Sequence, residues 1–155
     1  MRQEFSRIRD AHRSLRHAAH WLRICPEYEV SAAYIAVMKA AEHSFALEHA
    51  LMDSMEFPAT RVHLEQHARV LRALHCMYPA VIDGATRTGR RVGGQLLIEW
   101  FRLHNETLDA AVFVWASCSN PSLMQELQNR CSNAGTGYGT GAAGNASAFG
   151  NRTHN

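Results

Sequence analysis

Apolar residues recur at steps of three and four along four segments of the chain, the spacing that places them on one face of an α-helix. The segments run to about Arg23, from about Val30 to Glu56, from about Thr60 toward Asp83, and from just after Gly94 to about Ser117. Proline and glycine separate the segments, and Thr60 is a candidate N-cap for the third. The pattern predicts four helices.

The predicted links between these helices are short, which makes consecutive helices antiparallel neighbours. We therefore expect an all-α, up-down-up-down four-helix bundle over residues 1–117, and 155 residues are enough for one such core. A short extension follows at residues 118–132, in which Ser122 to Arg130 has helical character. Residues 133–155 are rich in Gly, Ala and Asn and have almost nothing to bury, so we expect a disordered tail.

Each predicted apolar stripe contains polar residues. In the fourth helix the stripe is Leu97, Trp100, His104, Leu108, Ala111 and Trp115. Across the four helices the polar members are His12, Glu48, His63, His67 and His104. A single core histidine is more often a hydrogen-bonded residue than a ligand. Five such groups must satisfy one another or share a cation, because each buried polar group without a partner costs about 1–3 kcal/mol.

The polar groups are predicted to meet in one layer of the core. With about 1.5 Å of rise per residue, most of them lie roughly 10–12 Å from the bundle end formed by the start of the first helix. These are His12, Glu48, His67 and Asp109, with His63 one turn outward and His104 more than one turn inward. Their shared height predicts a common site.

Asp109 reaches this layer only if the fourth helix is irregular, because a residue at i+5 from His104 lies about 140° round an ideal helix. A local π-bulge near Glu106 would turn it inward. Imidazole nitrogen and carboxylate oxygen suit divalent iron, zinc or manganese, and His63 and His67, at i and i+4, can bind one ion together. We therefore expect a metal site built from His12, Glu48, His63, His67, His104 and Asp109.

At these residues the chain resembles a hemerythrin-like protein of the bacterial type. The motifs are His12-Arg13-Ser14-Leu15, then Phe45-x-x-Glu48 with Met52 and Phe57-Pro58 after it, His63-x3-His67, and Trp100-Phe101-Arg102-Leu103-His104 leading to Asp109. The match covers roughly Ile8 to Ala116. The combined order and spacing are specific, whereas no single motif would be.

The resemblance implies two non-haem irons inside the bundle. The first iron would be held by His63, His67 and His104, with Glu48 and Asp109 bridging to the second. The second iron would be held by His12 and by a histidine just before Phe45, beside an open position where dioxygen binds. In this chain Ser44 precedes Phe45, so the second iron lacks one ligand.

Other residues near the motifs also depart from the family. Phe101 stands where leucine is usual and should crowd or reshape the gas pocket, and Asn105 stands where an apolar residue is usual. Neighbouring histidines do not obviously replace the missing ligand. His43 lies about 100° round the helix from Ser44, and His49 is predicted on the outward side.

The amino-acid composition limits the classes of partner that we expect this chain to bind. The chain has ten His, which is high, and fifteen Arg against one Lys, spread along the helices with a net charge of +2. This distribution indicates a solvated surface, so we do not expect nucleic-acid binding. The four Cys have no metal-finger spacing and are expected as free thiols. No apolar run approaches membrane-spanning length and the N-terminus lacks a signal core, which predicts a cytoplasmic protein without membrane contact.

The resemblance implies an iron protein that binds dioxygen reversibly, for storage, delivery or sensing. We do not expect an enzyme, since the sequence has no catalytic triad and no nucleotide-binding loop. Because of Ser44, an altered or mononuclear metal-binding protein, serving metal or redox sensing or with a degenerate site, is the main alternative. A di-iron oxidase is disfavoured because the Glu-x-x-His signature of ferritin-like enzymes is absent. A purely structural bundle would leave the polar stripe unexplained.

Overall fold

The computed structural model describes residues 2–119 and Gln125, and among these residues it contains four long helices and no strand. The first three are α1 (Arg2–Ile24), α2 (Val30–Ser54) and α3 (Thr60–Ile82), with a 3-10 turn at Glu27–Glu29. The fourth, α4, is continuous over residues 86–118. Its α-helical parts are Thr86–Gly89, Leu97–His104 and Ala110–Cys118, and its π-helical parts are Arg90–Leu96 and Asn105–Asp109. The all-α prediction is confirmed.

The helices run antiparallel to their neighbours, as two buried apolar clusters demonstrate. One cluster joins the start of α1, the end of α2 and the end of α4 through Ile8, Met52 and Val112. The larger cluster includes the end of α1, the start of α2 and the end of α3, represented by Leu22, Tyr34 and Val81. The predicted up-down-up-down order is therefore confirmed.

The predicted start of the fourth helix is wrong. Gly93 and Gly94 lie inside α4, and the break before it falls at Gly84, whose φ of +102° suits glycine. A Cβ atom at Gly93 would lie 2.9 Å from Leu22 Cδ2 and 3.0 Å from Tyr34 Cε2. This glycine therefore permits close packing of α4 against α1 and α2, and does not interrupt the helix.

The predicted cap of α3 is also wrong. The N-cap position is Ala59, which makes no side-chain cap, and Thr60 is already the first helical residue. Its hydroxyl donates backward to the carbonyl of Phe57 at 2.7 Å. Because the Thr60 backbone is helical, its side chain stabilises the preceding turn instead of the first free N–H groups of α3.

The irregularity predicted near Glu106 is confirmed, since residues Asn105–Asp109 are π-helical. A π turn holds one extra residue, so every later side chain is rotated relative to a regular helix. The predicted core positions Ala111 and Trp115 are accordingly exposed, whereas Val112 and Ala116 are buried. The same turn that reorients Asp109 thus resets the apolar face of the last part of α4.

Two predicted features of the C-terminal part lie outside the described residues, apart from Gln125. They are the short helix at Ser122 to Arg130 and the tail at residues 133–155, so the domain boundaries there stay predictions. Within the part of the chain that is described, no helix is both long enough and apolar enough to cross a membrane.

Removing one residue from the π turn should leave the core register intact. We expect deletion of Glu106, which is exposed, to shorten this turn to a regular α-helix, keep Val112 and Ala116 buried, and change the free energy of unfolding by about 1 kcal/mol or less. Insertion of one alanine after Glu106 should lower it by about 3 kcal/mol or more, because it rotates both residues out of the core. Urea unfolding followed by circular dichroism measures both. Equal destabilisation by the two changes would contradict this account.

Candidate metal centre

Five side chains from three helices converge on one buried point. Each offers one ligand atom, and these atoms lie within 4.8 Å of one another. They belong to Glu48 of α2, His63 and His67 of α3, and His104 and Asp109 of α4. The three histidines and Glu48 are buried. His63 and His104 were predicted at different levels along the bundle axis. Their side chains reach across this difference, and the two Nε2 atoms lie 2.9 Å apart.

Aromatic neighbours fix the direction of the imidazole rings. The ring of Phe45 stacks on His67 with a centroid distance of 3.9 Å and an interplanar angle of 5°. Trp100 stacks on His104 at 4.4 Å. Because each stacked ring covers one face of an imidazole, the ring nitrogens are left to point along the plane toward the cluster. These orienting roles of Phe45 and Trp100 were not predicted, although both residues belong to the motifs.

His12 joins the cluster through Glu48. Its Nε2 lies 2.6 Å from Glu48 Oε1, and the hydroxyl of Ser44 donates to the same oxygen at 3.3 Å. Ser44 is fully buried, so the position where the family pattern has a histidine is part of the site wall. Phe101 packs edge-on against His12 with a centroid distance of 4.9 Å. The structure thus brings all six predicted residues together.

The other histidines of α1 and α2 do not take part. His17, His20, His43 and His49 are exposed, and so is Asp53. The prediction that neighbouring histidines do not replace Ser44 agrees with these positions.

Both carboxylates are ionised despite their burial. Burial raises the pKa of Glu48, but contacts from His12, His63 and His67 outweigh it and hold this pKa well below its ordinary value. Burial likewise opposes ionisation of Asp109, and the adjacent imidazoles of His104 and His63 lower its pKa overall. The cluster therefore concentrates negative charge in the core.

The pKa values of His63 and His67 shift in opposite directions. Burial favours the neutral form of His63, yet Asp109 and Glu48 raise its pKa to about 9. For His67 burial is the stronger influence and its pKa falls below the ordinary value. A neutral imidazole presents a lone pair, which is the form that binds a metal ion.

The geometry of the cluster suits the binding of a metal ion better than hydrogen bonding among its own side chains. His104 Nε2 lies 2.9 Å from both His63 Nε2 and His67 Nε2, but a ring nitrogen has only one in-plane hydrogen or lone pair and cannot bond well to both. Both oxygens of Asp109 are buried, and although Oδ1 lies 3.2 Å from the Nε2 atoms of His63 and His104, neither contact has hydrogen-bond geometry. For a metal–nitrogen bond of about 2.1 Å, ligand atoms at right angles would lie about 3.0 Å apart, close to the separations seen here. The arrangement matches the residues expected to hold a metal ion.

A cavity of about 680 Å³ leads to the His12 side of the cluster between α1 and α4. Glu48, Asp109 and Asn105 lie along its wall together with His12, and its apolar lining includes Phe5, Ile8, Leu51, Val112 and Phe113. The side-chain oxygen of Asn105 is buried there without a hydrogen-bond partner. Asn105 differs from the hemerythrin-like pattern, and its place along an access route was not predicted from the sequence.

The helical bundle and its buried cluster of three histidines and two carboxylates define a candidate metal-binding protein. In sequence the chain is similar to the bacteriohemerythrin of Ralstonia nicotianae, with 29% identity over 100 residues that cover 64% of this chain and 72% of that protein. No protein-family model and no solved structure matches the chain. The resemblance to hemerythrin-like proteins that the motifs indicate is confirmed.

The raised pKa of His63 gives a pH-dependent stability in metal-free protein. The folded state holds this proton more tightly than the unfolded state, whose ordinary value is 6.5. The stabilisation is therefore complete below about pH 6.5 and is lost as the pH rises through about 9. Urea unfolding in chelator at several pH values should show this decline, and His63→Gln should flatten it. An equal decline in the variant would contradict the assigned charge on His63.

Proposed function

We propose that this chain is a hemerythrin-type, non-haem iron protein that binds dioxygen reversibly for storage, delivery or sensing. The observation that carries the proposal is the buried convergence of three imidazoles and two carboxylates. His63, His67 and His104 would hold one iron, and His12 would hold the second. When bound, ferrous iron supplies the electrons that reversible dioxygen binding requires.

The position of Glu48 supports its assignment as a bridge. Its Oε1 atom faces His12 at 2.6 Å, whereas its Oε2 atom lies 3.1 Å from His67 and 3.3 Å from His63. One carboxylate therefore contacts both groups of proposed ligands. Asp109 Oδ1, at 3.2 Å from both His63 and His104, is the proposed second bridge.

The cavity between α1 and α4 supports access by a small apolar molecule. Its walls are largely apolar, which favours entry of dioxygen and limits the water that would strand an oxidised metal. Phe101, only 1% exposed, packs against the ring of His12 behind this cavity. Arg2 and Arg9 also line the cavity, so it is the apolar part of the lining that suits dioxygen.

Binding without turnover is the proposed activity, so we do not assign an enzyme class. The similarity to a bacteriohemerythrin supports this choice. A cytoplasmic location is part of the same proposal and agrees with the lack of a membrane-spanning helix among the described residues.

Iron content and its response to air test the proposal. After anaerobic loading with ferrous iron, the chain should retain iron and develop an absorbance band under air that fades under vacuum. We expect His67→Ala to weaken iron binding by about 100-fold or more, because it removes a buried ligand. His43→Ala is the matched control, since it removes an exposed histidine of α2 and should change neither property.

Loss of iron in both variants, or in neither, would contradict the assigned site. Retained iron with no reversible band would reject dioxygen binding while leaving metal binding in place. No bound iron, with a melting temperature unchanged by chelator, would reject both, because a core metal stabilises the folded state by linkage.

A mononuclear metal protein is the second candidate, and the surroundings of Ser44 favour it. Both His12 and Ser44 direct their polar atoms at the same Glu48 oxygen, which satisfies that oxygen without a second metal. His12 then serves to orient Glu48, and the remaining donors form one complete site. Such a protein would suit metal or redox sensing.

Restoring the missing ligand distinguishes the two candidates. If the second position binds iron weakly, Ser44→His should raise the iron content toward two per chain and prolong the life of the air-induced band. Ala46→His is the matched control, because it adds a histidine at an exposed position of the same helix. Metal analysis by mass spectrometry gives the stoichiometry. Equal iron content in both variants and the parent protein would count against a second site beside His12.

A further inference from the structure

Four arginines surround one pocket at the end of the bundle that is remote from the metal centre. Arg23 lies in the last turn of α1, and Arg87, Arg90 and Arg91 lie in the first turns of α4. Together with Gln95 they line a cavity of about 440 Å³. Arg23 follows His12 by eleven positions in α1, about 16 Å along the helix, so the two sites are distinct. The spread of arginines along the helices did not predict this cluster, which forms only where α1 packs against α4.

Arg90 forms a fixed wall of this arginine pocket. Its guanidinium donates to the carbonyl of Leu22 at 2.8 Å and to that of Cys25 at 2.7 Å, which satisfies the end of α1. It also contacts Glu27 at 3.3 Å. Glu27 additionally accepts a hydrogen bond from Thr86, so its charge is already engaged. The arginine pocket is therefore preorganised on one side before any ligand arrives.

The position of Arg23 depends on the close approach of α1 and α4. A Cβ atom at Gly94 would lie 2.6 Å from Arg23 Cγ and 3.3 Å from the carbonyl oxygen of Ala19. The aliphatic stem of Arg23 thus packs directly over the backbone of α4. This contact keeps its guanidinium beside the pocket that the α4 arginines line.

The charged side chains that line the arginine pocket are all positive. Within residues 2–119, no carboxylate lines it and no ion pair involves Arg23, Arg87 or Arg91. Like charges held close together repel, and a bound anion relieves that repulsion. Guanidinium groups bind phosphate oxygens through paired hydrogen bonds.

We propose that the arginine pocket binds the diphosphate group of a small molecule. Three guanidinium groups not engaged by Glu27 match the charge of a diphosphate, and the volume exceeds that of a single phosphate. Among the described residues, the lining has no apolar side chain, so the group recognised inside is the anionic head and not an apolar body.

Calorimetric titration of the full chain with inorganic pyrophosphate at low salt tests the proposal. We expect one saturable site with a dissociation constant below about 1 mM. Arg87→Gln and Arg91→Gln should each weaken binding by about tenfold, because each removes charge-assisted hydrogen bonds. Arg72→Gln, at an exposed position of α3, is the matched control and should bind as the parent does. Iron content is measured before and after titration, so that chelation by the probe is recognised.

The outcomes separate the sources of the phosphate. A nucleoside diphosphate that binds at least as tightly as pyrophosphate supports the proposal and identifies a nucleotide as the ligand class. The absence of saturable binding up to about 10 mM, or equal weakening by Arg72→Gln, overturns it. Displacement of pyrophosphate by a single-stranded oligonucleotide at lower phosphate concentration also overturns it, in favour of a nucleic-acid contact. Circular dichroism of each variant confirms that a loss of binding is not a loss of fold.

Discussion

Placing two ionised carboxylates among imidazoles in an apolar core is the constraint on which the rest of the bundle depends. Glu48 and Asp109 remain charged there because histidine nitrogens contact them from α1, α3 and α4. Removing any partner leaves a buried charge uncompensated, which is among the more destabilising changes a core can suffer. The helices must therefore hold a fixed register at this level, and a cation shared by the five donors would complete the compensation.

The π turn in α4 serves both the site and the core. It brings Asp109 to the cluster and, through the same extra residue, rotates Val112 and Ala116 into the apolar cluster beyond it. A regular helix would bury Ala111 and Trp115 instead and would leave Asp109 facing away. The π turn and the packing of the last part of α4 therefore depend on each other.

The two sides of the candidate metal centre differ, and the less complete side is the one that faces the cavity. His63, His67 and His104 form a closed, aromatic-braced group, whereas His12 contacts Glu48 beside Ser44 and Phe101. The closed side resembles the more complete half of a hemerythrin-type site. Ser44, Phe101 and Asn105, which differ from the hemerythrin-like pattern, all lie on the side of the cluster that faces His12 and the cavity.

The four helices, their antiparallel order and the six residues of the candidate site could be predicted from the amino-acid sequence. These follow from the period of apolar positions and from polar residues that interrupt it, both of which are local features of the chain. The sequence also indicated the irregular turn, because Asp109 at i+5 from His104 cannot face the cluster otherwise. Three features became visible only in the folded chain: Gly93 lies inside a helix, the core register shifts after residue 109, and four arginines meet in one pocket. Those features depend on how closely separate helices approach one another. The pattern of apolar and polar positions along the sequence does not specify that distance.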